Sequence, residues 1–261
     1  MNIILFSKDR PPQLDLLLRS IFKYFEDIDK FKIKVLYTFS NSYFESGYKK
    51  LIDKHKDVYF LKENHFKTDL LSLVDNNKLY TVFFVDDNIF KENFSMESKE
   101  FKTFQKRHDV VCLSLRLHSR LTFCYSANIP QNIINIDENG LFDWRGKVGD
   151  YGYPMSLDGH IFRTEFILQY LIKLDYRNPN SLEGSMACNP PVTIPYMICF
   201  NKSIIFNNPI NKVQTNNPNR HGDITAEFLN REFLNNKELD LSIYEGFENI
   251  SCHQEREVKF I

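Results

Sequence analysis

The β-favouring run at residues 81–85 is the feature that most constrains the fold of this chain, because it ends directly in two acids, Asp86 and Asp87. Five such residues without polar alternation are typical of a parallel strand covered on both faces. Ligands of such sheets gather beyond the carboxyl ends of the strands. The sequence therefore predicts a buried strand whose end presents two carboxylates, and such oxygen donors suit Mg²⁺ or Mn²⁺.

Short β-rich runs alternate with amphipathic stretches along the first 117 residues, which indicates a parallel α/β sheet. Strands are predicted at residues 2–6, 32–39, 58–61, 79–85 and 110–117. Helices are predicted between them, at residues 12–25, 43–53 and 66–74.

The alternation of β-rich runs and amphipathic stretches ends after residue 117. Residues 118–157 are rich in turn signals. The remaining predicted elements are helices near residues 164–174, 181–189 and 224–234, and a hairpin of residues 196–200 against 203–206. We therefore expect one domain over residues 1–261, in which residues 1–117 and 118–261 form two unlike halves.

The charge balance excludes several classes of function. With 33 basic and 34 acidic residues the net charge is −1, so the composition lacks the footprint of a nucleic-acid-binding or polybasic membrane-binding protein. No apolar run approaches the roughly 20 residues that span a bilayer, and the amino end is expected to form a strand rather than a signal peptide. Five cysteines without a CxxC pair favour a reduced setting without structural zinc. We expect a cytoplasmic protein with at most peripheral contact at the inner face of the membrane.

The layout resembles that of the GT-A glycosyltransferases. The resemblance is carried by Ser-Lys-Asp-Arg at residues 7–10 after the first strand, the α/β half, the acidic pair after the fourth strand, and the looser second half. It implies a three-layer α/β/α sandwich with a Rossmann-like nucleotide-binding half and a mixed central sheet. It also implies that residues 1–117 bind a nucleotide-sugar and residues 118–261 bind the acceptor.

The acidic pair matches the metal-binding motif of that family. A DxD-type motif there holds Mn²⁺ or Mg²⁺ against the donor diphosphate. Here the motif is Val85-Asp86-Asp87, which lacks the first aspartate of strict DxD. The last acid is the usual ligand, so the resemblance implies Asp87 as the metal ligand, with Asp86 nearer the ribose or the donor sugar. A solvated loop or a helix cap is the other interpretation of such a pair.

Loops after the first two strands are further candidates for the nucleotide site. Ser7, Asp9 and Arg10 precede a predicted helix, where backbone amides favour anionic ligands, and an arginine offers bidentate donors to phosphate. The alternative is that Asp9 and Arg10 pair on the surface. Ser40 and Asn41 follow the second strand and are expected to meet the base or the ribose, although both are also ordinary turn residues.

A loop in the carboxy-terminal half holds the second candidate metal ligand. Residues 216–222 combine Asn, Pro and Gly with Arg220 and His221. Many GT-A enzymes place a histidine from such a loop on the metal, which makes His221 the expected ligand here. Arg220, or Lys212 earlier in the loop, is expected to close over the diphosphate. The alternative is that His221 is merely solvated.

Two acids are candidates for the catalytic base. Glu183 lies near a predicted helix start that Asn180 or Ser181 could cap, and inverting GT-A enzymes use an acid in this region to deprotonate the acceptor hydroxyl. We expect Glu183 to be the base and Asp158 to contact the acceptor or the donor sugar. Glu183 could otherwise only favour its helix dipole, and Asp158 could only anchor a turn. His160 is either a partner of Asp158 or an acceptor-site group.

Aromatic residues in the loop-rich middle are compatible with a carbohydrate site. Trp144, Tyr151 and Tyr153 have flat faces that could stack on sugars, and core packing is the alternative.

The resemblance thus implies a metal-dependent, inverting transferase that moves a sugar from a nucleotide donor to a hydroxyl of a glycan or glycolipid, for a surface polysaccharide. One rival is a sugar-1-phosphate nucleotidyltransferase, although a Gly-rich phosphate loop is missing after the first strand. The other is a non-catalytic carbohydrate-binding protein. The sequence specifies neither the sugar nor the oligomeric state.

Overall fold

An eight-stranded sheet organises the computed structural model, which describes residues 1–214 and 220–261. The strands are β1 (Asn2–Lys8), β2 (Ile33–Thr38), β3 (Tyr59–Lys62), β4 (Tyr80–Val85), β5 (Asn88–Phe90), β6 (Val110–His118), β7 (Phe123–Cys124), β8 (Ile129–Pro130), β9 (Leu141–Asp143), β10 (His160–Arg163), β11 (Tyr196–Phe200) and β12 (Ile205–Asn207). The helices are α1 (Pro11–Tyr24), α2 (Ser42–Lys54), α3 (Phe66–Leu73), α4 (Lys99–Lys106), α5 (Thr164–Lys173), α6 (Pro179–Ala187) and α7 (Ala226–Leu234).

The main sheet is mixed, with the order β3-β2-β1-β4-β10-β6-β11-β9. Strands β3, β2, β1 and β4 are parallel neighbours, and β11 is parallel to β6. Strand β10 is antiparallel to both β4 and β6, and β9 is antiparallel to β11. Because β1, β2 and β4 run in the same direction, the loops that follow them meet at one edge, where ligands of such sheets bind.

Apolar side chains cover both faces of the sheet. Along β1, Ile3 and Leu5 belong to one buried cluster, which includes residues of α1 and α4. Ile4 and Phe6 belong to a second cluster, which includes residues of α3 and α5. Successive side chains of a strand point to opposite faces, so the two clusters lie on opposite sides. The predicted three-layer α/β/α sandwich with a mixed central sheet is therefore confirmed.

Most predicted elements are present within about three residues of the expected bounds, as the boundary error of such predictions leads one to expect. Helix α4 was not predicted; Ser98 caps it by accepting a hydrogen bond from the amide of Phe101 at 3.3 Å. Helix α6 begins with a capping box, in which the side chain of Asn178 accepts from the amide of Ser181 at 2.8 Å and Oγ of Ser181 accepts from the amide of Asn178 at 3.1 Å. The N-cap residue is therefore Asn178, and Ser181 contributes to the cap from the first turn.

The predicted hairpin of residues 196–200 with 203–206 is wrong. Strand β11 lies inside the main sheet between β6 and β9, while β12 pairs with β5 in a separate two-stranded ribbon. The segment between them is held against β6. The hydroxyl of Ser203 donates to the carbonyl of Arg116 at 2.7 Å, and the amide of Ile204 donates to the carbonyl of Leu115 at 2.7 Å. Two apolar runs separated by a polar pair therefore pair with different partners.

The expected boundary at residue 117 falls at the end of β6. Strands β10 and β11 from the second half complete the sheet begun by the first, so both halves contribute to one sheet. Assigning one half to the donor and the other to the acceptor stays a prediction. No helix in residues 1–214 or 220–261 is long and apolar enough to cross a membrane.

Candidate active site

A cleft with a volume of about 620 Å³ lies at the carboxyl edge of β1, β2 and β4. Ten residues singled out in the sequence line it: Ser7, Arg10, Ser40, Asp86, Asp87, Asp158, Glu183, Lys212, Arg220 and His221. They come from loops far apart in the chain, and the sheet order brings them together.

Asp86 is held by the loop that follows β1. Its Oδ2 accepts hydrogen bonds from the hydroxyl of Ser7 at 3.0 Å and the amide of Lys8 at 3.1 Å. Its Oδ1 accepts from Nη1 of Arg10 at 2.9 Å. Burial raises the pKa of Asp86 in spite of these donors and the charge of Arg10. The carboxylate is therefore fixed in orientation and closely paired.

Asp87 is less well compensated. Its Oδ1 accepts from the side-chain amide of Asn207 at 2.9 Å, and its Oδ2 lies 3.6 Å from Nη1 of Arg10. Burial raises the pKa of Asp87 to about 6, and the charges of Asp158 and Asp86 add to the rise against that of Arg10. A further positive charge beside Asp87 would therefore stabilise its ionised form.

Arg10 faces the cleft, so the interpretation of Asp9 and Arg10 as a surface pair is wrong. Nε of Arg10 donates to Oδ1 of Asn211 at 2.8 Å, and Nη2 donates to the carbonyl of the same residue. Arg10 thus connects the loop after β1 to the segment at residues 207–214.

Asp9 and Asn41 have local structural partners instead of facing the cleft. Asp9 is buried and has a φ of 55°. Its carboxylate accepts from the amide of Ser40 at 2.7 Å and from its hydroxyl at 2.5 Å, which joins the end of β1 to the end of β2. The side chain of Asn41 caps α2 by accepting from the amides of Tyr43 and Phe44 at 3.0 and 3.3 Å. Both lie outside the cleft lining, contrary to the sequence-based expectation.

Asp158 is paired with two basic side chains. Its Oδ2 lies 3.2 Å from Nη1 of Arg116 and 3.5 Å from Nε2 of His253. Burial alone would raise the pKa of Asp158, but the hydrogen bond and charge of His253, followed by the charge of Arg116, lower it below its usual value. Asp158 is therefore ionised at neutral pH.

Glu183 is in the opposite situation. Its Oε1 accepts from the hydroxyl of Ser156 at 2.9 Å and from the amide of Leu157 at 3.0 Å. Burial and the charge of Asp158 raise the pKa of Glu183, against the charge of Arg116. Two acids whose environments separate their pKa values are typical of sites that transfer protons.

The histidine beside the acids is His253, which the sequence analysis missed. It lines the cleft near Asp158. Burial would lower the pKa of His253, but the hydrogen bond and charge of Asp158 raise it above its usual value. Residue 253 reaches this place through a β-bridge to Asn207. That contact joins segments 46 residues apart, and the sequence around His253 has no local signal for it.

His221, which the sequence predicts as a metal ligand, has an exposed side chain. It lines the cleft, and its Nδ1 lies 2.7 Å from the carbonyl of Gly222. Arg220 lies over the ring of Tyr125, with 4.5 Å to the ring centroid, and donates to Oδ1 of Asn128 at 2.7 Å. Residues 216–219, which the sequence analysis included in this loop, lie outside the described residues.

Three further expected substrate contacts lie outside the cleft lining. Trp144 is buried in an apolar cluster, and its indole N–H donates to the carbonyl of Ile194 at 2.8 Å. His160 is fully buried between β4 and β6, and burial lowers its pKa to about 3, so it is neutral. Tyr153 is half-buried; burial raises the pKa of its hydroxyl, and the charge of Glu183 adds to the rise. The partners of Asp158 are Arg116 and His253, not His160.

No family model matches the chain, but comparison with known proteins finds similar ones. Over 92% of its length the chain is 30% identical to the bifunctional glycosyltransferase pgtA of Dictyostelium discoideum, of which it spans 36%. The structure of TarS from S. aureus with UDP is 12% identical to this chain, with a TM-score of 0.49. The matched region covers 78% of this chain and 60% of the TarS chain. The mannosyltransferase PcManGT of Pyrobaculum calidifontis, solved with GDP-Man and Mn²⁺, has a TM-score of 0.30 at 12% identity over 43% of this chain and 34% of its own. The sheet, its acid-ended strand β4 and the relationship to pgtA confirm that this chain resembles the GT-A-type glycosyltransferases.

Proposed function

We propose that this protein is a glycosyltransferase that moves a sugar from a nucleotide-sugar donor to a hydroxyl of a glycan or glycolipid. The observation that carries the proposal is the convergence of Arg10, Asp86, Asp87 and Glu183 in the lining of one cleft. Arg10, Asp86 and Asp87 suit a diphosphate with its cation, and Glu183 suits an acceptor hydroxyl. The similarity to a bifunctional glycosyltransferase supports the same class of reaction.

In this proposal residues 1–117 bind the donor and residues 118–261 bind the acceptor. Arg10 is the N-cap residue of α1, whose positive end favours phosphate oxygens, and Ser7 lines the cleft at the end of β1. Lys212 and Arg220 also line the cleft and add positive charge. Ser40, at the end of β2, is available to the ribose or the base.

The donor groups in the cleft suit a divalent cation, Mn²⁺ or Mg²⁺. Asp87 and His253 would hold it, because both line the cleft and the Asp87 carboxylate lacks full compensation. Among the described residues no group of three or more His, Cys, Asp or Glu side chains could hold a metal ion. Diphosphate oxygens and water would therefore supply the other ligands, as is usual for Mg²⁺. The bound ion would neutralise charge on the leaving diphosphate.

Glu183 is the proposed base of an inverting displacement. Burial and the charge of Asp158 raise its pKa, which makes its carboxylate a better proton acceptor than an ordinary one. Asp158 stays ionised beside Arg116 and His253 and is proposed to contact the donor sugar or the acceptor. The different surroundings of the two acids support these different roles.

We also propose that the enzyme works in the cytoplasm, with at most peripheral contact to the inner face of the membrane, and assembles a surface polysaccharide. All five cysteines are free thiols, which suits a reducing compartment.

A thermal-shift screen tests the donor class. UDP, GDP, CDP, CMP and their sugars are added with and without Mn²⁺ to the wild type, to Asp87→Asn and to Asp143→Asn, a control at a partly exposed acid paired with Arg145. A ligand at 100 times its Kd adds about 2.7 kcal/mol to the free energy of unfolding. We expect Mn²⁺-dependent stabilisation by one nucleotide series, lost only in Asp87→Asn.

Two other results would reject the proposal. Stabilisation by glycans alone, unchanged in Asp87→Asn, would indicate a non-catalytic carbohydrate-binding protein. Release of pyrophosphate from a nucleoside triphosphate and a sugar phosphate would indicate a nucleotidyltransferase.

A further inference from the structure

Ser156 connects the two acids of the cleft through one hydroxyl. It is fully buried in the segment before β10. Its Oγ donates to Oε1 of Glu183 at 2.9 Å and accepts from the amide of Asp158 at 3.1 Å. Glu183 comes from α6, so this hydroxyl fixes the helix-borne acid relative to the loop that carries Asp158.

The two oxygens of Glu183 have different surroundings. Both hydrogen bonds to the carboxylate, from the hydroxyl of Ser156 and from the amide of Leu157, fall on Oε1. Oε2 has no hydrogen-bond partner among the described residues, and Glu183 lines the cleft. The structure therefore distinguishes an anchored oxygen from a free one.

The charged and titratable groups that face Glu183 act in both directions. Asp158 opposes its ionisation, while Arg116 favours it. The hydroxyl of Tyr153 also lies within the electrostatic range of Glu183. Against burial and Asp158, the hydroxyl of Ser156 and the amide of Leu157 are the hydrogen-bond donors that stabilise the carboxylate form.

We propose that Ser156 is a positioning residue for sugar transfer, which holds Oε1 of Glu183 so that Oε2 faces the acceptor hydroxyl. This inference rests on the proposed function, in which Glu183 is the base. Oε2 takes the hydroxyl proton as the acceptor oxygen forms a bond to the anomeric carbon. The bond from that carbon to the diphosphate breaks, and its electron pair leaves with the nucleoside diphosphate.

The kinetic test compares Ser156→Ala, Ser156→Thr and a matched control, Ser20→Ala. Ser20 is also fully buried; its Oγ donates to the carbonyl of Leu17 at 2.8 Å and accepts from the amide of Phe90 at 3.0 Å, outside the cleft lining. Turnover is followed as release of nucleoside diphosphate, with the donor found in the thermal-shift screen and with water or glycan as acceptor. For Ser156→Ala we expect kcat to fall about tenfold at an unchanged donor KM, because the base is held less well.

The pH profile separates positioning from general destabilisation. Loss of the Ser156 donor disfavours the Glu183 carboxylate, so the acid limb of kcat should move up by about one pH unit. Ser156→Thr keeps the hydroxyl and should restore both the limb and the rate. Ser20→Ala should leave the acid limb unchanged, even if it lowers the unfolding temperature as much as Ser156→Ala does.

A second readout needs no donor. Carboxyl ¹³C shifts of glutamate-labelled protein, with the Glu183 signal assigned by its loss in Glu183→Gln, should show a higher pKa of Glu183 in Ser156→Ala. An unchanged pKa together with an unchanged acid limb would overturn the inference, and so would effects no different from those of Ser20→Ala. If Glu183→Gln turns over at the wild-type rate, the assignment of Glu183 as the base is overturned, and the role of Ser156 with it. If Glu183→Gln is inactive and Ser156→Ala is normal, only the role of Ser156 is rejected.

Discussion

Nη1 of Arg10 lies 2.9 Å from Oδ1 of Asp86, and the two side chains are only 11% and 6% exposed. The same nitrogen lies 3.6 Å from Oδ2 of Asp87. One buried guanidinium therefore compensates two neighbouring buried carboxylates and donates to Asn211 as well. The acid pair can stay ionised in the absence of ligand chiefly because Arg10 is there.

Arg10→Ala should destabilise the protein strongly at neutral pH. Breaking a buried ion pair leaves an uncompensated charge and costs roughly 3–5 kcal/mol. Without Arg10 the pKa values of Asp86 and Asp87 should rise further above their unfolded values, so the loss should be largest at high pH and shrink as the acids become protonated. Urea unfolding at about pH 8 and about pH 5 measures the difference.

Arg145→Ala is the control for Arg10→Ala, since Arg145 pairs with Asp143 at a site where the two side chains are 48% and 39% exposed. Exposed pairs contribute about 0–1 kcal/mol, so this variant should behave like the wild type at both pH values. Equal losses for Arg10→Ala at the two pH values would contradict the role given to Arg10.

His253→Ala and His221→Ala should differ in their response to metal. His253 lies beside Asp158 near Asp87, while His221 is exposed and contacts the carbonyl of Gly222. We expect His253→Ala to weaken Mn²⁺-dependent donor binding by about 100-fold, and His221→Ala to change it little. Calorimetric titration of the donor nucleotide with and without Mn²⁺ gives both values. The reverse order of effects would restore His221 as the ligand.

Local patterns in the sequence were sufficient for most elements of the first half, except β5 and α4, and for the acidic pair. Residues 81–85 form a buried strand because each of them favours β structure and both faces are covered. Asp86 and Asp87 follow at the edge where parallel strands end, so their place in a cleft could be predicted from β4 alone.

Long-range pairing determined what the sequence analysis missed. His253 reaches the cleft through its bridge to Asn207, and Arg116 reaches Asp158 because β6 and β10 are neighbours. Neither contact has a periodicity or a motif of its own. Trp144 was expected in the cleft because aromatic loop residues often bind sugars, but burial in the core and a backbone acceptor at Ile194 decided its place.

Glu183→Gln should abolish transfer but not donor binding. A positioned base contributes about 10²–10⁴-fold to the rate, so kcat should fall by that factor while the donor Kd stays the same. In the wild type the rate should fall as the pH drops through the raised pKa of Glu183, which lies above the ordinary value for a glutamate. Glu165→Gln, at an exposed acid in the first turn of α5, is the control. A kcat of Glu183→Gln within a few-fold of the wild type would assign the base elsewhere.

Asp15→Asn tests a charge cluster that joins α1 to the end of α2. The carboxylate of Asp15 is 1% exposed and lies 2.8 Å from Nε2 of His55, from Nζ of Lys54 and from Nε of Arg19. Burial would raise its pKa, but the hydrogen bond from His55 and the charge of Arg19 win and lower it to about 2. A depressed acid pKa stabilises the fold above the unfolded value, and this stability is lost as the pH falls through the folded value.

We therefore expect Asp15→Asn to cost about 2 kcal/mol at neutral pH, with the difference from the wild type closing between about pH 4 and pH 2. Urea midpoints measured across that range give the curve. Asp53→Asn, whose carboxylate pairs with Lys56 at 77% and 68% exposure, is the control and should follow the wild type throughout. A penalty for Asp15→Asn that is independent of pH would show that the cluster stabilises by shape and hydrogen bonding instead of by the charge on Asp15, because the amide keeps the size of the side chain but not its ionisation.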